Sequence, residues 1–201
     1  WEFDQQVKNY SLGEYQELQT VIDHFHGSYS RLSLAASFGY TAATVQTPLF
    51  ADHTVCEADE SPLACEYRIH NPAFALITLG TNDAVKPESF EPNMRKLIEF
   101  TLQQGIIPVL STKADNLERD HANNATLARL AAEYELPLWN FWLAVQPLPR
   151  HGLQDDSVHL TFAGPRFDDP WAMQQAWAVR NLTALQVLDV LLKETGAAGA
   201  G

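Results

Sequence analysis

Four short apolar runs interleaved with amphipathic stretches leave few topologies open to this chain. "RLSLAAS" (31–37), "AFALITLG" (73–80), "IIPVLS" (106–111) and "LPLWNFW" (137–143) read as strands. "AFALITLG" is apolar throughout, as a strand covered on both faces requires. The stretches around them repeat at helical spacing. Residues 14–25 put Tyr15, Leu18, Val21, Ile22 and Phe25 on one face, and residues 90–104 do the same with Met94, Leu97, Ile98, Thr101 and Leu102. Residues 122–135 offer Leu127, Leu130, Ala131 and Tyr134, and residues 171–193 offer Val179, Leu182, Leu185 and Leu188. Such stripes are core faces. Gly105 stands where the second helix should stop. Strands alternating with helices predict βαβ units, right-handed crossovers and a parallel sheet covered by helices on both sides. The expected class is a three-layer α/β/α fold. Long loops are expected at 52–70 and 146–170, and such loops often carry function.

The totals fit one domain. The chain has 201 residues, 46% of them apolar, enough for a real core. Residues 1–195 read as that domain, and "GAAGAG" (196–201) reads as a flexible tail. The net charge is −12, with 25 acids against 13 bases. A surface of that sign disfavours nucleic acid and anionic membranes. No run is long and apolar enough for a membrane-spanning helix. Cys56 and Cys65 flank an acidic segment, "CEADESPLACEYR". They are either unrelated thiols or a disulfide closing that loop. The disulfide is the reading taken here, and it implies an oxidising, extracytoplasmic compartment. Their spacing is no zinc pattern.

Two stretches carry chemistry. "GTND" (80–83) ends the apolar strand, and in open parallel sheets sites lie at the carboxyl ends of strands. Gly80 lets the backbone turn sharply. Asn82 offers a side-chain N–H for developing negative charge, whereas the plainer reading is a turn. "DSVH" (156–159) places Asp156 three residues before His159. A carboxylate at that distance can fix the tautomer of an imidazole base and stabilise its charged form. The plainer reading is a solvated acid and histidine. Asn124 and Asn181 head "NAT" and "NLT", but both fall on predicted helices and are taken as chance sequons.

Taken in order, these blocks resemble those of the SGNH, or GDSL, hydrolase family. "GTND" is similar to its Gly-x-Asn-Asp block and "DSVH" to its Asp-x-x-His block, and "SFGYTAATV" (37–45) is similar to its glycine block, with Gly39 as the glycine. Wider stretches such as "GEYQELQTVIDHF", "VLSTKADN" and "VRNLTALQVLD" resemble a bacterial branch of it. The resemblance implies a serine esterase or lipase-like enzyme acting on carboxylic esters, on small molecules or on carbohydrates, without metal or cofactor. His159 would deprotonate the serine and Asp156 would orient it. The Gly39 backbone N–H and the Asn82 side chain would hold the oxyanion, while Asp83 would brace the turn.

One block is absent. No Gly-Asp-Ser occurs, nor a G-x-S-x-G elbow. Ser11, Ser28, Ser30, Ser33 and Ser37 read as structural, and the chain opens "WEFDQQVKNY" with no starting Met. The expectation is therefore that the nucleophile turn and its strand lie upstream. "RLSLAAS" would then pair directly with "AFALITL", or a strand would be borrowed, or the fragment would be unstable. The alternative is a binding module for carbohydrate or peptide on the same scaffold. Trp139, Trp142 and Trp171 are the candidates for a sugar surface.

Overall fold

The computed structural model describes residues 10–29 and 31–196. In chain order the helices are α1 (Gln19–His24), α2 (His26–Tyr29), α3 (Pro62–His70), α4 (Pro87–Gln103), α5 (Ala122–Glu133), α6 (Phe141–Val145) and α7 (Ala176–Thr195). The strands are β1 (Phe74–Ile77), β2 (Ile107–Ser111) and β3 (Leu138–Trp139). The described sheet runs β1-β2-β3 and is parallel throughout. Phe74 faces Ile107 at one end of the first pair and Ile77 faces Leu110 at the other. The class is α/β with a parallel sheet, consistent with the three-layer α/β/α arrangement expected from the sequence. None of the described helices is long and apolar enough to cross a membrane.

The chain forms two compact units: Ser33–Asn140, and the described parts of Trp1–Leu32 with Phe141–Gly201. The first holds the sheet. In it α4 packs on β2, and α5 packs on β2 and β3. Pro87 opens α4, where a missing N–H costs nothing. Its inner face is Phe90, Met94, Leu97, Ile98 and Thr101. These meet Ile77, Leu110, Leu127 and Leu130 in one core. The Thr101 hydroxyl is accommodated there because it donates to the Leu97 carbonyl at 2.7 Å and meets the Tyr67 hydroxyl at 2.9 Å. In the second unit α7 packs on α6, on α1 and on the 3₁₀ turn Gln16–Leu18, burying Leu182, Leu185, Leu188 and Leu192.

Several expectations are corrected. Residues 31–37 form turns, not a strand. The Leu34 N–H donates to the Glu66 carboxylate at 2.8 Å, Ser33 Oγ accepts from the Ala35 N–H, and the Ala36 N–H returns to the Ser33 carbonyl. Serine and a buried carboxylate thus take the groups a ladder would need. The direct pairing of this segment with β1 is therefore not formed. "LPLWNFW" is strand only at Leu138–Trp139, and α6 begins at Phe141. A short apolar run cannot be told from a buried helix by pattern, and Asn140 turns the chain between them. The segment 52–70 is not all loop, because it contains α3. Ser61 accepts from the Ala64 N–H and Pro62 follows it, the usual pair of start signals. The last helix starts at Ala176 rather than 171, and Leu102 stands outside its helix's buried face. Cys56 and Cys65 form a disulfide, with Cα atoms 5.4 Å apart.

Candidate active site

The structure builds two pairs of the expected residues, one in each unit. In the sheet unit, the chain leaves β1 through Thr78 and Leu79 and turns at Gly80, whose φ of +125° suits glycine alone. A Cβ there would stand 3.4 Å from both Lys113 Cδ and Phe90 Cζ. Asn82 then opens a 3₁₀ turn, Asn82–Val85. Its Nδ2 donates to the Tyr40 carbonyl at 3.1 Å, which leaves its second N–H for a ligand. Tyr40 directly follows Gly39, so this one hydrogen bond ties the Asn82 turn to the residue next to Gly39. Gly39 is exposed, with φ +77°.

Asp83 ties the same two segments together. It is 4% exposed, and its Oδ1 accepts from the Ala42 N–H at 2.9 Å. Oδ2 has no hydrogen-bond partner among the described residues. Burial pushes the Asp83 carboxyl above its ordinary pKa, and backbone N–H donors, Ala42's first, oppose the rise.

A charged network missed in the sequence grips the turn from the other side. Lys113, two residues past β2, is 7% exposed. Its Nζ donates to Asp115 Oδ1 at 2.7 Å, Glu118 Oε2 at 2.6 Å and the Asp115 carbonyl at 3.0 Å. All three ammonium donors are thereby satisfied. Asp115 Oδ2 accepts from the Thr81 hydroxyl at 2.7 Å, and Asn123 Nδ2 donates to the Gly80 carbonyl at 2.8 Å. The two residues before Asn82 are thus held by side chains from beyond β2. The signal available in the sequence was the string Lys113, Asp115 and Glu118 just after an apolar strand. It reads equally well as a solvated loop, so only the fold identifies it.

In the second unit, residues 152–161 form a hairpin-like turn. Gln154 N–H donates to the His159 carbonyl at 2.8 Å, Thr161 N–H donates to the Gly152 carbonyl at 2.8 Å, and Leu153 bridges Leu160. Ser157 takes φ +59° so that the chain can double back. Asp156 Oδ1 accepts from the Val158 and His159 N–H groups, each at 2.9 Å, and Oδ2 lies 2.5 Å from His159 Nδ1. The histidine side chain and the two backbone donors hold the Asp156 carboxyl at about 2. With Nδ1 bonded to the carboxylate, Nε2 is the basic nitrogen, on a side chain 72% exposed. No serine among this unit's described residues hydrogen-bonds to His159. The one group of possible metal-ligand atoms among the described residues is Cys56, Glu60 and Cys65, and both its sulfurs are spent in the disulfide.

Of the three tryptophans considered for a sugar surface, Trp139 is 2% exposed and so is core. Trp142 is half-buried and Trp171 is exposed. Asn124 and Asn181 are both buried, and Asn124 pairs with the Lys113 backbone in both directions, so neither is placed to carry a glycan.

No protein-family profile matches the chain. Among curated proteins, it is 26% identical over 119 residues to the thioesterase 1/protease 1/lysophospholipase L1 of Escherichia coli strain K12, and equally to that of strain O6:H1. The match covers 56% of this chain and 57% of each relative, so the chain spans about half the length of the curated relatives it matches. The activities in that name are all hydrolytic, and the likeness supports a hydrolase at that coarse level.

Proposed function

We propose that this chain carries the His-Asp pair and the oxyanion donors of an SGNH-type serine hydrolase that cleaves carboxylic esters. The observation that carries the reading is the His159 Nδ1 to Asp156 Oδ2 contact of 2.5 Å on an exposed turn. His159 Nε2 takes the proton of a serine hydroxyl as that oxygen attacks the ester carbonyl. The Gly39 N–H and the second Asn82 N–H donate to the oxyanion of the tetrahedral intermediate. As the intermediate collapses, His159 returns the proton to the leaving alcohol. Water, activated by the same base, then frees the acid from the acyl-serine. Asp156 stays ionised and stabilises the imidazolium at each step. No described serine is bonded to His159, so the labelling below identifies the nucleophile. The disulfide further suggests an oxidising, extracytoplasmic setting.

The test is turnover of p-nitrophenyl acetate, with fluorophosphonate labelling read by peptide mass spectrometry, on the chain extended upstream and on the chain as it stands. His159→Ala should abolish turnover in whichever form is active. Retained turnover would reject the assignment. A second reading is a binding module on the same scaffold. If neither form is labelled, that reading stands and the enzyme does not.

A further inference from the structure

Beside Asp156, between the 152–161 turn and the entry to α7, lies a cavity of about 500 Å³ whose walls all belong to one unit. Arg150, Gln154, Asp155 and Asp156 form one side, and Gln174 and Gln175 form the other. Thr161 also lines it, its hydroxyl already donating to the Gly152 carbonyl and accepting from the Ala176 N–H, and only Pro149 and Leu153 are apolar. We propose that this cavity is a binding subsite for a neutral polyhydroxylated group, a glycosyl unit. As the place of the substrate's alcohol portion it rests on the hydrolase reading. As a sugar site it stands without that reading.

The chemistry of the walls selects the ligand. Gln154 and Gln175 each give one amide N–H to a backbone carbonyl, of Leu160 and of Trp171. With Gln174, all three primary amides keep a donor and an acceptor, the combination that hydroxyls, themselves donors and acceptors, satisfy best. An acyl chain in the same space would strip water from those amides and return no hydrogen bonds. An anion finds no free cation, because Arg150 Nη1 is bonded to Asp155, and Asp156 adds a second negative charge. The size lies within the range of small-molecule sites.

The rim is also built against local preference, which an incidental surface dent would not require. Arg150 and His151 both take left-handed conformations, at φ +54° and +55°, although neither is glycine. They deliver Gly152 against α7, where a Cβ would come within 2.6 Å of Ala176 Cβ. That close approach sets the hairpin's spacing from the wall glutamines. Asp156 is shared between the cavity wall and the His159 pair. A ligand in the cavity therefore lies next to the basic histidine.

The test is ligand-observed NMR titration of the whole chain with methyl β-xyloside and methyl β-glucoside, with gluconate and octanoate as comparators. At least one glycoside should bind saturably. Gln174→Ala and Gln175→Ala should each weaken it fivefold or more, and Lys193→Ala, in the last turn of α7, should leave it within twofold. No saturable glycoside binding, binding of octanoate in preference to both glycosides, or indifference to both glutamine variants would overturn the proposal. The readout is independent of turnover. Glycoside binding without ester hydrolysis would defeat the enzyme reading and keep the subsite, whereas hydrolysis without glycoside binding would do the reverse.

Discussion

Lys113 shows how much a single buried charge can decide. Its three carboxylate and carbonyl partners make it a strut, and Thr81 and Gly80 hang from the same network. Lys113→Met should destabilise the chain by about 3–5 kcal/mol, because Asp115 and Glu118 are left buried without a cation. A urea melt reads that loss, and a change under 1 kcal/mol would show the network to be unimportant. Asp156→Asn makes a contrasting case. The side chain is half exposed, so folding should hardly change, while ester turnover should fall on the order of a thousandfold or more as the histidine loses its fixed tautomer. Asp83 works in the opposite electrostatic direction. Its folded pKa is raised, so it favours the folded state when protonated. That contribution is present below the unfolded carboxylate value of about 3.9 and fades as pH rises through the raised folded value. Asp83→Asn should remove this slope, as measured by melting temperature between pH 4 and pH 7. An unchanged slope would assign it to other groups.

The elements differ in how they are held. α4 is held by its apolar face, with Met94 and Ile98 fully buried. Met94→Ala should therefore cost about 2–5 kcal/mol. α4 also meets α5 through Glu91, Arg95, Arg129 and Glu133. Arg129 Nη1 reaches Glu91 at 3.0 Å, and Arg95 Nη2 reaches Glu133 at 2.7 Å. Those groups are solvated, so the network should weaken with salt and matter less than the core beneath it. The segment before α3 depends on a covalent tie. The Cys56–Cys65 bridge closes a loop of sequence separation 9, and replacing both cysteines with serine should cost about 2–3 kcal/mol. Equal chemical stability of the two forms would show that the ion pair of Arg68 with Glu60, 2.5 Å long, already fixes this segment.

At the scale of the whole chain, acid is the informative perturbation. The net charge is −12. Glu60, Glu91 and Asp156 are each held at about 2, by Arg68, by Arg129 with Arg95, and by His159 with two backbone donors. A depressed folded pKa means a contribution present above the unfolded value of about 4 and lost as pH falls towards 2. The folded state should therefore hold to about pH 4 and loosen between there and pH 2, followed by far-UV circular dichroism. Glu91 and Asp156 are partly exposed whereas the Glu60 side chain is largely covered, so 1 M salt should flatten the share of the first two in that acid limb. A transition already complete at pH 5 would show that these three carboxylates do not set the acid limit.

The order of apolar runs and helical stripes determined the α/β class, because burying those faces leaves a parallel sheet with helices as the economical solution. The inner face of α4, Leu102 apart, was legible for the same reason. The local pair of Asp156 and His159 was legible too, since a spacing of three residues brings a carboxylate to an imidazole within one turn of chain. The sequence misled wherever side chains compete for backbone groups. Ser33 and Glu66 turned 31–37 away from a ladder, Asn140 cut short the last strand, and Ser61 with Pro62 started a helix inside an assumed loop. Only the tertiary structure could place Lys113 against Gly80, Asn82 against Tyr40, or Gly152 against Ala176. Those contacts join residues 24 to 42 positions apart, and their energies depend on what the fold has already excluded from water.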